Sequence, residues 1–312
     1  MLVASRRLPI ACVLAAVLAV PEPGHAWGQQ GHRIVARIAT KNLRHTTRDK
    51  LRAILGVSDG GLENAMASAA IWPDVIDRVA TGSDRWHYIN VPISAPFSVA
   101  GNCGGGDCVI AQIENMQNRL RNNLRGFTLL APPRPARPMT SQELAFLIHM
   151  VGDLHQPLHA AVNGDRGGGC VELTQALTHP GTTIPDTTDV HIAWDIDTVL
   201  AAMKARTNNE RAMADALFQR FKQGAAVAQG TPLDWARESH DLARSLIYQR
   251  LKIANHSAPV GACAPNINPV SISSAYLQDQ IPVVERRLME AGVRLSNVLN
   301  EICGGMGCRV VP

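Results

Sequence analysis

Residues 145–160 read "AFLIHMVGDLHQPLHA". Phe146, Leu147, Ile148, Met150, Val151 and Leu154 make this stretch apolar on nearly every side, so it reads as a helix lying in a protein core. His149, Asp153, His155 and His159 run through its middle. A buried carboxylate without a partner is costly, so Asp153 must either open onto a cleft or face a cation. His149 and Asp153 are four residues apart and therefore project from one helical face, a spacing that suits two ligands of one ion. A hydrogen-bonded structural His–Asp couple has the same spacing. "DVHIAWDIDTVL" (189–200) repeats it, however, with His191 and Asp195. Two such pairs on two apolar helices favour metal binding. Pro157 cannot donate to the carbonyl of Asp153, so the helix ends or kinks there, and His159 is free to turn towards a neighbouring ion. His155 reads as a residue that supports a ligand or bonds the helix end, with a ligand role as the alternative.

Working outward, helical periodicity dominates the chain. Residues 32–43, 108–124, 141–156, 187–204, 209–228, 233–254 and 276–301 carry apolar residues at intervals of three and four. In the last of these, Ile281, Val284, Leu288, Ala291, Leu295 and Val298 form one stripe, which reads as core packing. Alternating strand patterns are absent except for a short hairpin expected around "GGCVELTQALTHPGTTIP" (168–185). The expectation is an all-α, single-domain fold with at most a small β-hairpin. "APPRPARP" (131–138) is too short for an interdomain linker and reads as a rigid loop between helices. Asn255-His256-Ser257 is a glycosylation sequon, functional only in a host that glycosylates.

The 312 residues, 18% of them charged, suit an ordinary globular protein. Residues 1–26 combine Arg6 and Arg7, the apolar run "IACVLAAVLAV" and "PEPGHA", the pattern of a secretory signal peptide cleaved after Ala26. The apolar run is too short to span a bilayer, so the processed protein is expected to be exported, secreted or periplasmic, without a membrane anchor. Of seven cysteines, Cys12 leaves with the signal, and an oxidising compartment favours disulfides among the other six. "CGGGDC" and "CGGMGC" each close a small loop, giving 103–108 and 303–308 and leaving 170–263 by elimination, one of fifteen pairings. The formal charge of +4 is too small to announce a nucleic-acid binder, so any polyanion must be drawn by local charge.

Further candidates lie in "WGQQGHRIVARIA" (27–39), "IWPDVIDR" (71–78) and "DRWHYINVP" (84–92). His32 opens a helix, Asp74 follows a Trp-Pro turn and His87 sits between aromatic residues. Each alone would pass as a core histidine or a helix cap. Taken in order, a processed N-terminal Trp with His five residues later, WxD, WH, HxxxDxxxxxH and HxxxD resemble the S1/P1 nuclease family. Its fold is shared with zinc-dependent phospholipase C.

The resemblance covers residues 27–312 and implies an all-α secreted nuclease holding three zinc ions. Carried over residue by residue, Asp74, His87, His149 and Asp153 would hold one ion, and His159, His191 and Asp195 a second. Trp27, through its α-amino nitrogen and carbonyl oxygen, would hold the third with His32 and a shared Asp153. Imidazole and carboxylate suit zinc where no thiolate is available, and an α-amine with a pKa near 7.7–8.0 yields its proton readily to a metal. Three dications against three carboxylates also leave the site net positive. The implied reaction is zinc-assisted hydrolysis of single-stranded DNA, RNA or 3′-nucleotides to 5′-phosphates by an activated water. No obligate protein partner is implied. An unstacked base would pack on an aromatic or apolar wall, for which Phe97 in "PISAPFSVAGN" (92–102) is a candidate.

Three positions depart from the family pattern. Asn90 stands where many relatives have Asp; it can orient water but cannot accept its proton. Asp77 replaces a Lys or Arg, and Arg78, one residue later, is a candidate for the phosphate contact. Gly169 replaces the Asn of a GGN motif. The alternatives are a phospholipase C-like phosphodiesterase and an exported zinc-binding protein without activity.

Overall fold

A computed structural model describes residues 27–121, 140–224, 226–227, 229–304 and 308. The expected signal segment and the Pro-rich loop lie outside the described residues. Nine helices of eight residues or more are found among the described residues: α1 Gly28–Lys41, α2 His45–Leu55, α3 Leu62–Ala69, α4 Val109–Arg121, α5 Ser141–Asp153, α6 Thr198–Arg206, α7 Glu210–Lys222, α8 Pro232–Leu242 and α9 Ser274–Gly304. The only paired strands described, β1 (Glu172–Leu177) and β2 (Thr187–Asp189), form the antiparallel hairpin, in register at Glu172–Asp189 and Leu177–Thr187 with an irregularity between. The fold is all-α as expected. No described helix is long and apolar enough to cross a membrane.

The core forms where α1, α5 and α9 meet. α5 starts on a capping box: Glu143 N–H donates to the Thr140 hydroxyl, and Thr140 N–H to the Glu143 carboxylate at 2.8 Å. Such a cap is worth about 1 kcal/mol. From Glu143 to Asp153 every residue of the helix is buried. Past it, Pro157 starts a 3-10 turn, Pro157–Ala160, which carries His159. The expected break therefore occurs, and it redirects His159. α9 packs its stripe against α1, and Gly292 permits the approach, because a Cβ there would lie 2.5 Å from Ile38 Cβ.

Several boundaries differ from the sequence reading. α2 and α3 were not expected; each buries only two or three side chains, Thr47 and Leu51 in one and Leu62, Met66 and Ala67 in the other, too few to draw a stripe. The helix expected from 187 begins at Val190, because residues 187–189 pair with β1 and Asp189 caps the helix by accepting from Ile192 N–H. Ala193–Asp197 then widens into a π-helical turn, a feature frequent at functional sites, before α6 continues to Arg206. The helix expected to reach 228 ends at Lys222, and the one expected to reach 254 ends after a π-helical turn at Tyr248.

All three disulfides pair as expected, two from their spacing and one by elimination: Cys103–Cys108, Cys303–Cys308 and Cys170–Cys263. The last has most to do with the site, since it fastens the Gly-rich segment 164–170 to the loop after Tyr248. Ala264 N–H to the Gly164 carbonyl (2.7 Å) and Asn163 Nδ2 to the Ala254 carbonyl (2.8 Å) reinforce that junction.

Candidate metal centre

Apart from His155, the histidines and aspartates read as ligands in the sequence converge near the inner end of α5. Asp74, on the short helix Trp72–Val75, and His87, at the end of the 3-10 turn Asp84–His87, face His149 and Asp153. Asp153 Oδ2 lies 3.0 Å from His87 Nδ1 and 3.2 Å from His149 Nε2. Those two ring nitrogens are 3.0 Å apart, and Asp74 Oδ1 lies 3.4 Å from His149 Nε2 and 3.7 Å from His87 Nδ1. A tetrahedral ion with bonds of 2.0–2.1 Å would place its donors about 3.3–3.4 Å apart. His87, His149 and Asp153 thus stand at about the spacing of such a shell, with Asp74 beside His149. Asp153 Oδ1 points the other way, 3.2 Å from His32 Nε2, so one carboxylate faces two sets of donors. His159, His191 and Asp195 form a further group, with His191 Nε2 3.3 Å from Asp195 Oδ2.

Backbone carbonyls orient the rings. His149 Nδ1–H donates to the Ala70 carbonyl at 2.7 Å, His159 Nδ1–H to the His87 carbonyl at 2.7 Å and His191 Nδ1–H to the Gly167 carbonyl at 2.8 Å. In the neutral ring each bond leaves the Nε2 lone pair aimed into the cluster, as metal ligands require. Asp195 is held at its other oxygen by the Gln156 side-chain amide. The residues fit a cation by a second observation. Both Asp153 oxygens, His159 Nε2 and Asp195 Oδ2 are buried and accept or donate no hydrogen bond among the described residues. Such groups are costly unless a cation joins them.

The electrostatics point the same way. Burial opposes both charges of the His149–Asp153 couple, yet the facing carboxylates Asp153 and Asp74 hold His149 well above an ordinary imidazole, and His149 with its neighbours holds Asp153 well below an ordinary carboxyl. Asp195 is driven well above its usual range by burial, and Asp74, Asp189 and Asp153 add like charge. Burial pushes His159 down to about 3, so it is neutral and able to ligate.

His32 reaches the cluster from α1. Its ring stacks on His149, centroids 4.0 Å apart and planes at 10°, and abuts Gly152. A Cβ on Gly152 would sit 2.9 Å from His32 Nδ1 and 3.1 Å from Cε1. Gly152→Ala should therefore displace His32, although alanine favours the helix by about 1 kcal/mol. The expected result is at least about a tenfold loss of hydrolysis, ~1.4 kcal/mol in the barrier. Metal content should fall while circular dichroism is unchanged.

A cavity of about 640 Å³ opens over these donors, lined among others by Arg78, Asp84, His87, Tyr88, Asn90, His159, Arg166, Gly167, Gly169 and His191. The family model described as S1/P1 Nuclease matches residues 27–304. The chain belongs to the S1/P1 nuclease family. Nuclease S1 of Aspergillus oryzae is 28% identical over 95% of this chain and 98% of its own length, and Nuclease P1 of Penicillium citrinum 25% over 89% and 98%. Endonuclease 2 of Arabidopsis thaliana is 27% identical over 90% of this chain and 91% of that protein. The S1/P1 nuclease described here is accordingly a metal-dependent hydrolase of phosphodiester bonds.

Asn90 and Arg78 both line the cavity of this S1/P1 nuclease, and the Arg78 guanidinium lies 3.6 Å from Asp74 Oδ1. Asp77 has a structural use, since it caps the short helix Arg78–Thr81 by accepting from Ala80 N–H at 2.9 Å. Phe97 is not among the lining residues; it packs on His240 with Arg237 over its face. The aromatic wall is Tyr88 instead, which sequence reasoning missed although it adjoins His87. Its hydroxyl donates to Asp84 Oδ2 at 3.2 Å.

His155 lies outside the cluster. Its Nδ1–H donates to the Val151 carbonyl, and its Nε2 accepts from Arg294 at 2.9 Å, which requires a neutral ring. Burial and the nearby Arg287 and Arg294 keep its pKa well below the usual value. Through Arg287 and Arg294, both bonded to Glu238, His155 ties the end of α5 to α8 and α9. It supports the fold behind α5.

Proposed function

We propose that this chain is an exported nuclease that hydrolyses phosphodiester bonds of single-stranded DNA and RNA, and 3′-nucleotides, leaving 5′-phosphates, with three zinc ions. The single observation that carries the reading is the convergence of buried, outwardly unsatisfied imidazole and carboxylate donors beneath one cavity. Asp74, His87, His149 and Asp153 would hold one ion, His159, His191 and Asp195 another, and Trp27, His32 and Asp153 a third. When bound, divalent zinc supplies Lewis acidity towards phosphoryl oxygens and acidifies water. The chain's own groups bind and orient. Arg78 faces a phosphate, Asn90 positions water by hydrogen bonding, and Tyr88 offers a ring on which an unstacked base can lie. A flexible strand can splay a base into such a cavity more easily than a stacked duplex can.

Export is supported by the segment 1–26 and by three disulfides. Cleavage after Ala26 would create the α-amine of Trp27. Trp27 is fully buried, and its residue neighbours lead straight into α1 and His32. One extra residue before Trp27 should thus lower zinc content and cut turnover by about tenfold or more, ~1.4 kcal/mol. Unchanged zinc and turnover would count against the N-terminal ligand.

The deciding assay offers purified residues 27–312 single-stranded DNA, RNA, a 3′-nucleotide and phosphatidylcholine, each with and without chelator. Cleavage of the first three, abolished by chelator, is the expected outcome. Cleavage of the lipid alone, or of nothing with zinc fully bound, would overturn the proposal.

A further inference from the structure

Three consecutive residues beside the cavity adopt left-handed backbone: Arg166 (φ 57), Gly167 (φ 64) and Gly168 (φ 91). Glycine is the ordinary occupant of this region, and an L side chain is held there only where the surroundings insist on it. Here they do. Cys170 N–H donates to the Asp165 carbonyl at 2.9 Å, and Asp165 Oδ1 accepts from Tyr248 OH and from Asn163 N–H. The turn next to it carries the Cys170–Cys263 disulfide and presents the Gly167 carbonyl to His191. Among three positions suited to glycine, only 166 carries a side chain.

That side chain is an exposed guanidinium on the cavity rim, with no hydrogen bond or ion pair to any described residue. Two of the cavity's three acids are engaged elsewhere: Asp189, which feels the Arg166 charge without pairing with it, caps the His191 helix, and Asp84 accepts from Tyr88. Arg78, which also lines the cavity, is buried against Asp74. Gly169 leaves the wall beside Arg166 open, since a Cβ at 169 would meet only the Arg166 carbonyl at 3.5 Å and Arg166 Cβ at 3.9 Å.

We infer that Arg166 is a substrate-positioning residue that binds a backbone phosphate adjacent to the scissile one, so that it favours polynucleotides over mononucleotides. This rests on the proposed nuclease reaction. Its exposure points to a neighbouring phosphate: the candidate metal donors are buried, whereas Arg166 lines the same cavity as an exposed residue. Guanidinium pairs bidentately with phosphate. A 3′-mononucleotide has no neighbouring phosphate to offer.

Two variants test it. Arg166→Gly removes the side chain and relaxes the backbone, and Arg166→Asn keeps a residue that tolerates positive φ without the charge. For both, KM for a single-stranded oligonucleotide should rise about tenfold, while KM for a 3′-mononucleotide changes less than about twofold. Binding of a phosphorothioate single strand, followed over a salt series, should lose about 0.7 from the slope of log K against log salt, one phosphate contact. Melting temperature and zinc content should not fall. Equal losses on both substrates, or unchanged KM and slope, would overturn the inference. A wild-type chain that bound the strand with this Arg166-dependent slope yet cleaved nothing would sink the proposed reaction and leave the contact standing.

Discussion

Chelation of the divalent cations should abolish hydrolysis and lower the melting temperature of residues 27–312 by about 10 °C. The size follows from linkage: a ligand at a thousandfold excess over its Kd stabilises the folded state by about 4 kcal/mol, and in chains of 150–250 residues each kcal/mol shifts melting by about 2–4 °C. The apo protein is weakened for a specific reason. Asp153 and Asp195 are buried, and three of their four oxygens accept no hydrogen bond among the described residues. With the ions gone, burial and like charge drive Asp195 to take a proton, while Asp153 is left buried and ionised against its histidine neighbours, at the centre of the core. Scanning calorimetry with and without chelator, followed by zinc add-back, measures the effect. A melting temperature indifferent to chelator would mean that the cluster holds itself together without metal.

The second large effect belongs to Asp153. Its two oxygens face different partners, His32 on one side and His87 with His149 on the other, so Asp153→Asn disturbs both neighbouring donor sets in one step. Turnover should fall at least about a thousandfold, ~4 kcal/mol in the barrier, with zinc content falling alongside. Stability should respond differently. Neutral Asn removes a buried charge, so the variant should melt no lower than chelator-treated wild type. That pairing of results separates loss of a ligand from loss of the fold. Full zinc occupancy with wild-type turnover in Asp153→Asn would remove Asp153 from the centre.

Much of the centre was legible because its spacing is local. His149 with Asp153, and His191 with Asp195, read directly as one-turn pairs on apolar helices, and Pro157 announced that His159 would leave helical phase. The three disulfides followed from short loops and an even count. Tyr88 and Arg166 were not legible, since nothing in a lone aromatic or a lone arginine says which way a loop will aim it. The same holds for Phe97, whose packing on His240 depends on α8, about 140 residues away in a contact no local pattern encodes. α2 and α3 escaped notice because helices that bury so little leave almost no periodic signal.

By itself, then, the sequence determined the helical class, the residue types that can meet a cation and their pairing along each helix, all of which depend on periods of a few residues. Only the tertiary structure decided that the pairs share one cavity, which ring nitrogen each histidine turns inward and which side chains form the walls. The carbonyls that orient His149, His159 and His191 belong to residues 79, 72 and 24 positions away. Contacts over such separations are fixed by how the turns and loops pack around α5, while Gly152 and Gly292 let His32 and Ile38 of α1 approach α5 and α9 by having no side chain to hold them apart.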